Sequence, residues 1–179
     1  MKAKWVHAYM DIAKRTGELS MSIRLKVGTI IVKDNRIISM GYNGTPAGWD
    51  NNCEDKIYMP TDSGGWLDSF EIDEMYPYTD TQGHYKLVTK PGVIHSEENA
   101  VVKLARDGES GKGATLFCTH ACCLACAKLI AGSGIEKVVY GEEYRDGIGI
   151  DFLKRSNLKV INYGLFKNKS EKDQNIALL

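Results

Sequence analysis

Two short motifs hold residue types that bind zinc and move protons. His95 and Glu97 are two residues apart, and Cys123 and Cys126 are three residues apart. Two cysteines at this spacing at the start of a helix point their sulfur atoms in the same direction. The helix N-terminus and a bound metal both favour the thiolate form. The two sulfurs and one imidazole nitrogen therefore form a candidate set of three zinc ligands.

Three protein ligands, rather than four, indicate a catalytic zinc site. The fourth tetrahedral position stays open to water, and zinc lowers the pKa of that water to roughly 7. Glu97 lies in the first turn of the helix that is expected to follow His95. From there it can take a proton from the water and pass it to a ring nitrogen and then to a leaving amine. His-x-Glu followed by Cys-x-x-Cys is typical of zinc-dependent nucleobase deaminases.

Each motif has a simpler explanation when it is taken alone. A Cys-x-x-Cys pair also occurs in structural zinc sites and in redox motifs. His95 alone is most simply a hydrogen-bonded loop histidine, and Glu97 alone an acid that stabilises a helix N-terminus. Cys122 is an alternative zinc ligand, but Cys123 has the favourable spacing to Cys126. Cys118 falls in a predicted strand and is expected to be buried.

Composition limits the class of protein. The chain of 179 residues is 43% hydrophobic and 26% charged, which predicts one soluble globular domain over 1–179. Lys+Arg and Asp+Glu are both 23, which argues against a nucleic-acid polymer as partner. We find no membrane-spanning run and no signal-peptide core. Five cysteines, three of them clustered, favour metal binding in a reducing cytoplasm over disulfides.

Hydrophobic periodicity predicts the elements that position the two motifs. It indicates a helix at 3–20 and a hairpin over 27–42 that turns at Asp34-Asn35. Residues 45–93 lack a sustained period and are predicted to form an irregular, functional insertion. Further helices are predicted at 96–107, 123–133 and 147–156, and further strands at 115–119, 137–140 and 158–163. This alternation predicts parallel βαβ units joined to the hairpin.

Three segments together resemble the deoxycytidylate (dCMP) deaminases of the cytidine deaminase superfamily. They are residues 95–100 (HSEENA), 119–128 (THACCLACAK) and 41–48 (GYNGTPAG). The resemblance implies an α/β fold, a three-layer α/β/α sandwich around a five-stranded mixed sheet. It also implies zinc-dependent hydrolysis of dCMP to dUMP with release of ammonia. The chain departs from the family at Cys122, where a proline usually precedes the first cysteine.

The resemblance also suggests residues that bind substrate. By analogy, Asn43 would hydrogen-bond the deoxyribose, although a left-handed turn residue beside Gly44 is the simpler explanation. Tyr144 and Arg145 are candidates to cover the base and hold the phosphate. Further phosphate candidates are Ser22, Arg24 and Lys26. For the charged members of this set, a solvated surface position is the alternative.

Regulation and assembly follow from the same resemblance. Many dCMP deaminases are homohexamers that dCTP activates and dTTP inhibits at a subunit interface. The positions expected to contact an effector, with Mg²⁺ on its triphosphate, are Tyr42, Gly44, Asn51, Glu98 and Arg106. Gly44 would let backbone amides approach phosphates. Some phage members bind a second zinc in the insertion, where this chain has Cys53 and His84 but no cysteine near residue 22.

Three rival functions stay open at this point. The first is a deaminase of tRNA or DNA bases, which would need a basic surface. The second is a deaminase of deoxycytidine or dCTP, which differs only in its phosphate preference. The third is a non-catalytic, zinc-stabilised nucleotide-binding protein, which would need a fourth protein ligand and no Glu97.

Overall fold

The computed structural model of the protein describes residues 1–60, 68–144 and 147–178. In chain order the elements within these ranges are α1 (Ala3–Gly17), β1 (Gly28–Lys33), β2 (Arg36–Tyr42), β3 (Glu54–Tyr58), α2 (Ser69–Met75), β4 (Tyr78–Asp80), β5 (Gly83–Thr89), α3 (Ser96–Asp107), β6 (Thr115–His120), α4 (Leu124–Gly132), β7 (Lys137–Glu142), α5 (Ile148–Arg155), β8 (Lys159–Asn162), α6 (Tyr163–Lys167) and α7 (Glu171–Ala177).

The central sheet of the described chain has five strands in the order β2-β1-β6-β7-β8. β1 pairs antiparallel with β2 and β6, whereas β6, β7 and β8 pair in parallel. Asp34 and Asn35 have φ angles of 51° and 57°, and two positive φ values in a row allow the tight turn between β1 and β2. The hairpin and the parallel βαβ units predicted from the sequence are therefore confirmed.

Each face of this sheet carries its own apolar layer, because successive residues of a strand point to opposite sides. Ile30 and Val32 pack on the side of α1, α6 and α7. Ile31, between them, packs on the side of α3, α4 and α5. In β6, Phe117 packs on the side of α1, and Leu116 packs on the side of α3. The three-layer α/β/α fold around a mixed sheet is confirmed.

Regular structure also occurs in the segment 45–93, so the prediction of an irregular insertion is wrong. Strands β3, β5 and β4 form an antiparallel sheet in that order, and a capping box of Asp68 and Glu71 begins α2. Three consecutive side chains of β3, from Asp55 to Ile57, are exposed. Exposure of this kind leaves no alternation of polar and apolar residues for a sequence pattern to detect.

The C-terminal helix α7 is docked on α1. Asn175 Oδ1 accepts a hydrogen bond of 3.1 Å from the backbone N–H of Ala3, and Gln174 Oε1 lies 3.3 Å from His7 Nε2. Leu178, just after α7, is buried in the apolar layer beside α1. Among the helices described, none has both the length and the apolar character needed to cross a membrane.

Candidate metal centre and catalytic site

The starts of α3 and α4 bring together the three predicted zinc ligands. His95 is the N-cap of α3, Cys123 is the N-cap of α4, and Cys126 lies within the first turn of α4. His95 Nδ1 is 3.6 Å from Cys123 Sγ and 3.5 Å from Cys126 Sγ. Tetrahedral zinc with ordinary bond lengths places a nitrogen and a sulfur ligand about 3.6 Å apart. The donor types and their spacing therefore fit zinc.

Hydrogen bonds hold protons between these three donors, and a bound divalent cation would displace those protons. The pKa of the Cys123 thiol is lowered to about 3, first by its hydrogen bond with Cys126 and then by that with His95. The pKa of Cys126 is raised, chiefly because it donates to the Cys123 thiolate, and the pKa of His95 is raised by its own bond to Cys123. Metal binding favours two thiolates and a neutral imidazole, so a cation would displace the shared protons.

Glu97 is a buried carboxylate in the first turn of α3. Only 5% of its surface is exposed, and this burial raises its pKa. Its Oε2 accepts a hydrogen bond of 2.8 Å from Ser96 Oγ, and Thr29 Oγ1 lies 2.8 Å from the same hydroxyl. A raised pKa makes the carboxyl group a better proton acceptor than an exposed glutamate, which suits it to general acid–base catalysis.

A cavity of about 210 Å³ opens beside the metal-binding donors. Its wall includes His95, Cys123 and Glu97. It also includes four of the six predicted substrate-binding residues, namely Ser22, Arg24, Asn43 and Tyr144. Lys26 instead lines a second cavity of about 360 Å³, between α1 and α6. Arg145 lies outside the described residues.

Asn43 braces the segment that runs along the cavity. Its Oδ1 accepts a hydrogen bond of 2.8 Å from Val27 N, and its Nδ2 donates one of 2.8 Å to Leu25 O. Asn43 is not among the residues with positive φ in the described chain, so the alternative of a left-handed turn residue is wrong. A side-chain amide has two N–H donors and two lone pairs, which leaves one of each for a ligand.

The sequence analysis did not predict two polar residues of this wall, Thr89 and His120, or a third, Glu54, that lies behind the wall and binds Ser22. Glu54 is buried, and its Oε1 accepts a hydrogen bond of 2.5 Å from Ser22 Oγ. Thr89 Oγ1 accepts one of 2.8 Å from Arg24 Nη1. His120 also lines the cavity, with its Nδ1 3.0 Å from Thr119 Oγ1. Only His120 had a local signal, because it lies inside the segment 119–128 that carries the cysteines.

The predicted effector positions fall into separate regions. Tyr42 and Gly44 adjoin the start of α3, where Glu98 lies, since Tyr42 O accepts from Asn99 Nδ2 at 3.0 Å. Gly44 N donates to Ile94 O, so this amide is already used and is unavailable to a phosphate. Asn51 is exposed in the loop before β3. Arg106 pairs with Asp107 near the other end of α3. A rise of 1.5 Å per residue puts it about 12 Å from Glu98 along the helix.

Cys53 and His84 have separate partners. Cys53 Sγ lies 3.7 Å from Asn51 O, and His84 Nδ1 lies 3.2 Å from Thr79 Oγ1. Over the described part of the chain, the one cluster of three or more potential metal donors is that of His95, Cys123 and Cys126. The contacts of Cys53 and His84 thus give no support to a second zinc site.

One imidazole and two thiols lie together beside a buried carboxylate, and His95, Cys123 and Glu97 line one cavity. This arrangement is a candidate zinc-dependent hydrolytic centre. The sequence profile described as "Cytidine and deoxycytidylate deaminase zinc-binding region" matches residues 3–142. The chain belongs to this family of cytidine and deoxycytidylate deaminases.

Several relatives cover most of the chain. It is 35% identical to the deoxycytidylate deaminase of Enterobacteria phage T4, over 90% of both chains. It is also 35% identical to that of Mycobacterium phage D29, over 78% of this chain and 95% of the other. A crystal structure of dCMP deaminase from the cyanophage S-TIM5, in complex with dCMP and dUMP, is similar with a TM-score of 0.70 and 36% identity. The match covers 90% of this chain and 98% of that chain.

Proposed function

We propose that the protein hydrolyses dCMP to dUMP and ammonia at a zinc ion held by His95, Cys123 and Cys126. The observation that carries this proposal is the zinc-compatible donor set, two of whose members, His95 and Cys123, share a cavity wall with buried Glu97. The similarity to the cyanophage enzyme, which was solved with dCMP and dUMP, supports this choice of substrate.

The residues of the chain supply the proton transfers of this reaction. Zinc, when bound, acts as a Lewis acid and lowers the pKa of water to about 7. Glu97 accepts a proton from the attacking water, delivers it to ring nitrogen N3, and then returns a proton to the departing amine. A carbon–oxygen bond forms at C4 and the carbon–nitrogen bond breaks. One hydrogen of the water ends on N3 and the other on ammonia.

Arg24 is the proposed ligand of the substrate phosphate. Its guanidinium uses one N–H for Thr89, and the other four donors of an arginine remain for a ligand. The Ser22 hydroxyl is bonded to Glu54, which makes Ser22 a weaker phosphate candidate. Lys26 is weaker still because it lines the other cavity. We retain Asn43 for the sugar, Tyr144 for the base and Arg145 for the phosphate.

A substrate panel run with metal analysis tests the proposed function. Cytidine, deoxycytidine, dCMP, CMP and dCTP are each assayed for ammonia release, with zinc measured per chain. We expect one zinc per chain and the highest kcat/KM with dCMP. A preference for deoxycytidine or dCTP would select the alternative substrates. Release from no compound, together with a closed four-ligand zinc, would favour the non-catalytic binding protein.

We further propose that dCTP activates and dTTP inhibits the enzyme, with Mg²⁺ bound to the effector triphosphate. Tyr42, Gly44 and Glu98 support this because they adjoin the start of α3, which also carries His95. A ligand held there would contact the element that positions the metal-binding imidazole. Initial rates are measured at increasing dCTP and dTTP, with and without Mg²⁺. Unchanged rate curves would overturn this proposal.

We propose a homo-oligomer, specifically a hexamer. Exposed apolar side chains in the segment that leads to Ser22 and Arg24 support this proposal. Leu19, Met21 and Ile23 expose 58%, 61% and 70% of their surfaces. Such neighbouring apolar side chains are typical of surfaces that another chain covers. Light scattering of the wild type and of Met21→Glu tests the assembly. A wild type that is monomeric at assay concentrations would contradict it.

A further inference from the structure

One cross-strand pair of the three-stranded sheet holds the part of the cavity wall that carries Arg24. Glu54 of β3 and Thr89 of β5 are register partners. Glu54 Oε1 accepts hydrogen bonds from Ser22 Oγ at 2.5 Å, Ile23 N at 3.1 Å and Arg24 N at 3.3 Å. Thr89 Oγ1 accepts one from Arg24 Nη1 at 2.8 Å. The pair therefore fixes both the backbone and the guanidinium of Arg24.

The burial of Glu54 strengthens its hydrogen bonds to residues 22–24. Its carboxylate is only 5% exposed and forms no ion pair with any described residue. A buried carboxylate needs several donors to offset its lost hydration. Here the donors come from consecutive residues of one segment, so the carboxylate and the segment order each other. Arg24 itself is exposed, and without these contacts its long side chain would sample many rotamers.

We propose that Glu54 and Thr89 are positioning residues that orient the Arg24 guanidinium and thereby select a phosphorylated substrate. This inference rests on the proposed deamination of dCMP. The two residues act on the phosphate end of the ligand and do not touch the metal-binding donors or Glu97. The three-stranded sheet of the segment 45–93 is then a specificity element for the phosphate group.

Two substrates that differ only in the phosphate separate this role from a general structural one. We compare Glu54→Gln and Thr89→Val for kcat and KM on dCMP and on deoxycytidine. Asp55→Asn is the matched control, because it makes the same carboxylate-to-amide change one residue along β3, where the side chain is 59% exposed. We expect Glu54→Gln to raise KM for dCMP about tenfold, the factor for one lost charge-assisted hydrogen bond. Kinetics on deoxycytidine should stay unchanged.

A double-mutant cycle tests whether Glu54 acts through Arg24. In an Arg24→Ala background, Glu54→Gln should cause no further rise in KM for dCMP. Equal losses on both substrates, or an unchanged KM for dCMP, would overturn the positioning role. If Glu54→Gln fails to fold, Thr89→Val decides the question, because it removes only the acceptor of the guanidinium. A wild type inactive on dCMP would instead overturn the proposed function, and this inference with it.

Discussion

At the scale of single residues, opposing influences act on the pKa of Glu97. Burial raises the pKa, and the hydrogen bond from Ser96 lowers it. Burial is the larger influence, so the carboxyl group holds a proton at higher pH than an exposed glutamate does. The same group is therefore suited to accept a proton early in the proposed reaction and to return one later.

Replacing Glu97 by glutamine should separate proton transfer from metal binding. We expect Glu97→Gln to keep its zinc and its fold, and to lose about 10²–10⁴-fold in kcat, the usual contribution of a general acid–base. Ammonia release and metal analysis on the same sample check both parts. Activity within about tenfold of wild type would contradict the assigned role. Glu109→Gln, after α3, is a control for the change in charge.

His95→Ala should lose the metal. An imidazole supplies one of only three protein ligands, and removing it leaves two thiols with no third donor among the residues described. We expect zinc to fall well below one per chain after dialysis, and the thermal stabilisation by added zinc to disappear. Stoichiometric zinc in this variant would show that the ligand set is wrong.

The pKa of Glu97 also predicts how stability depends on pH in zinc-free protein. A raised folded-state pKa means that the charged carboxylate lowers stability above that pKa. The effect fades toward the unfolded value of about 4.3. Zinc-free Glu97→Gln should therefore exceed zinc-free wild type in thermal stability at pH 8, by a margin that shrinks toward pH 4. A margin that widens toward acid would contradict the assigned burial effect.

Local spacing explains which site residues the sequence could reveal. One helix start fixes the relative positions of His95 and Glu97, and another fixes those of Cys123 and Cys126. The number of residues between the members of each pair therefore predicts how their side chains are arranged. Glu54 and Thr89 reach Ser22 and Arg24 across 32 and 65 residues. Contacts over such separations depend on how the strands pair, and no local pattern records that.

At the scale of elements, α5 fits closely against the loop that carries Cys123. A Cβ atom at Gly149, near the start of α5, would lie 2.1 Å from Cys122 O and 2.8 Å from Cys123 C. Both separations are too short for an unshifted backbone. The missing side chain at Gly149 therefore lets α5 support the start of α4, and with it the position of one proposed metal ligand.

Gly149→Ala should thus weaken zinc binding, although Gly149 is not itself a proposed zinc ligand. We expect a lower melting temperature and a zinc affinity reduced by roughly 10–100-fold, as for disturbed support of metal ligands. Chelator competition and thermal melts measure the two effects. Gly132→Ala is the control, since a Cβ there meets nothing within 4 Å and should stabilise α4 by about 0.5–1 kcal/mol. Similar zinc affinity in both variants would contradict this role of α5.

The elements of the central sandwich are predictable because the helices bury residues at a regular spacing and strands such as β1 and β6 are short apolar runs buried on both faces. The helix at 96–107 ends as expected, at Gly108 with a φ of 70°. The small sheet is not predictable from the sequence because β3 is mainly exposed and β4 and β5 are only half-buried, without a clear apolar face. The substrate interpretation of Lys26 rested on charge alone. Lys26 lies in the loop before β1, where its side chain lines the second cavity while that of Val27 lines the first. The path of this loop decides the difference, and composition does not record it.

At the scale of the whole molecule, the metal centre and the C-terminal helix lie on different faces of the central sheet. The proposed ligands belong to α3 and α4, whereas α7 packs with α1. Stability and catalysis should therefore respond differently to changes at the C-terminus.

Deleting residues 169–179 should lower stability and spare the chemistry. The deletion removes buried Leu178 and the partners of Ala3 and His7. Loss of a few kcal/mol should lower the melting temperature by on the order of 5–10 °C. We expect zinc content and kcat at low temperature to be retained. Leu165→Ala, at a side chain 69% exposed, is the control. Loss of zinc on deletion would show that the two faces are coupled.

The charges of the metal centre have a consequence for ligand orientation. Two thiolates would balance the charge of a bound divalent ion at the helix starts, while Arg24 makes another stretch of the wall positive. The whole chain has a formal net charge of zero, so it exerts little long-range pull on an anion. A ligand with an uncharged ring and an anionic phosphate is thus oriented only after it enters the cavity, where the phosphate is attracted to Arg24. Its rate of arrival should depend weakly on ionic strength.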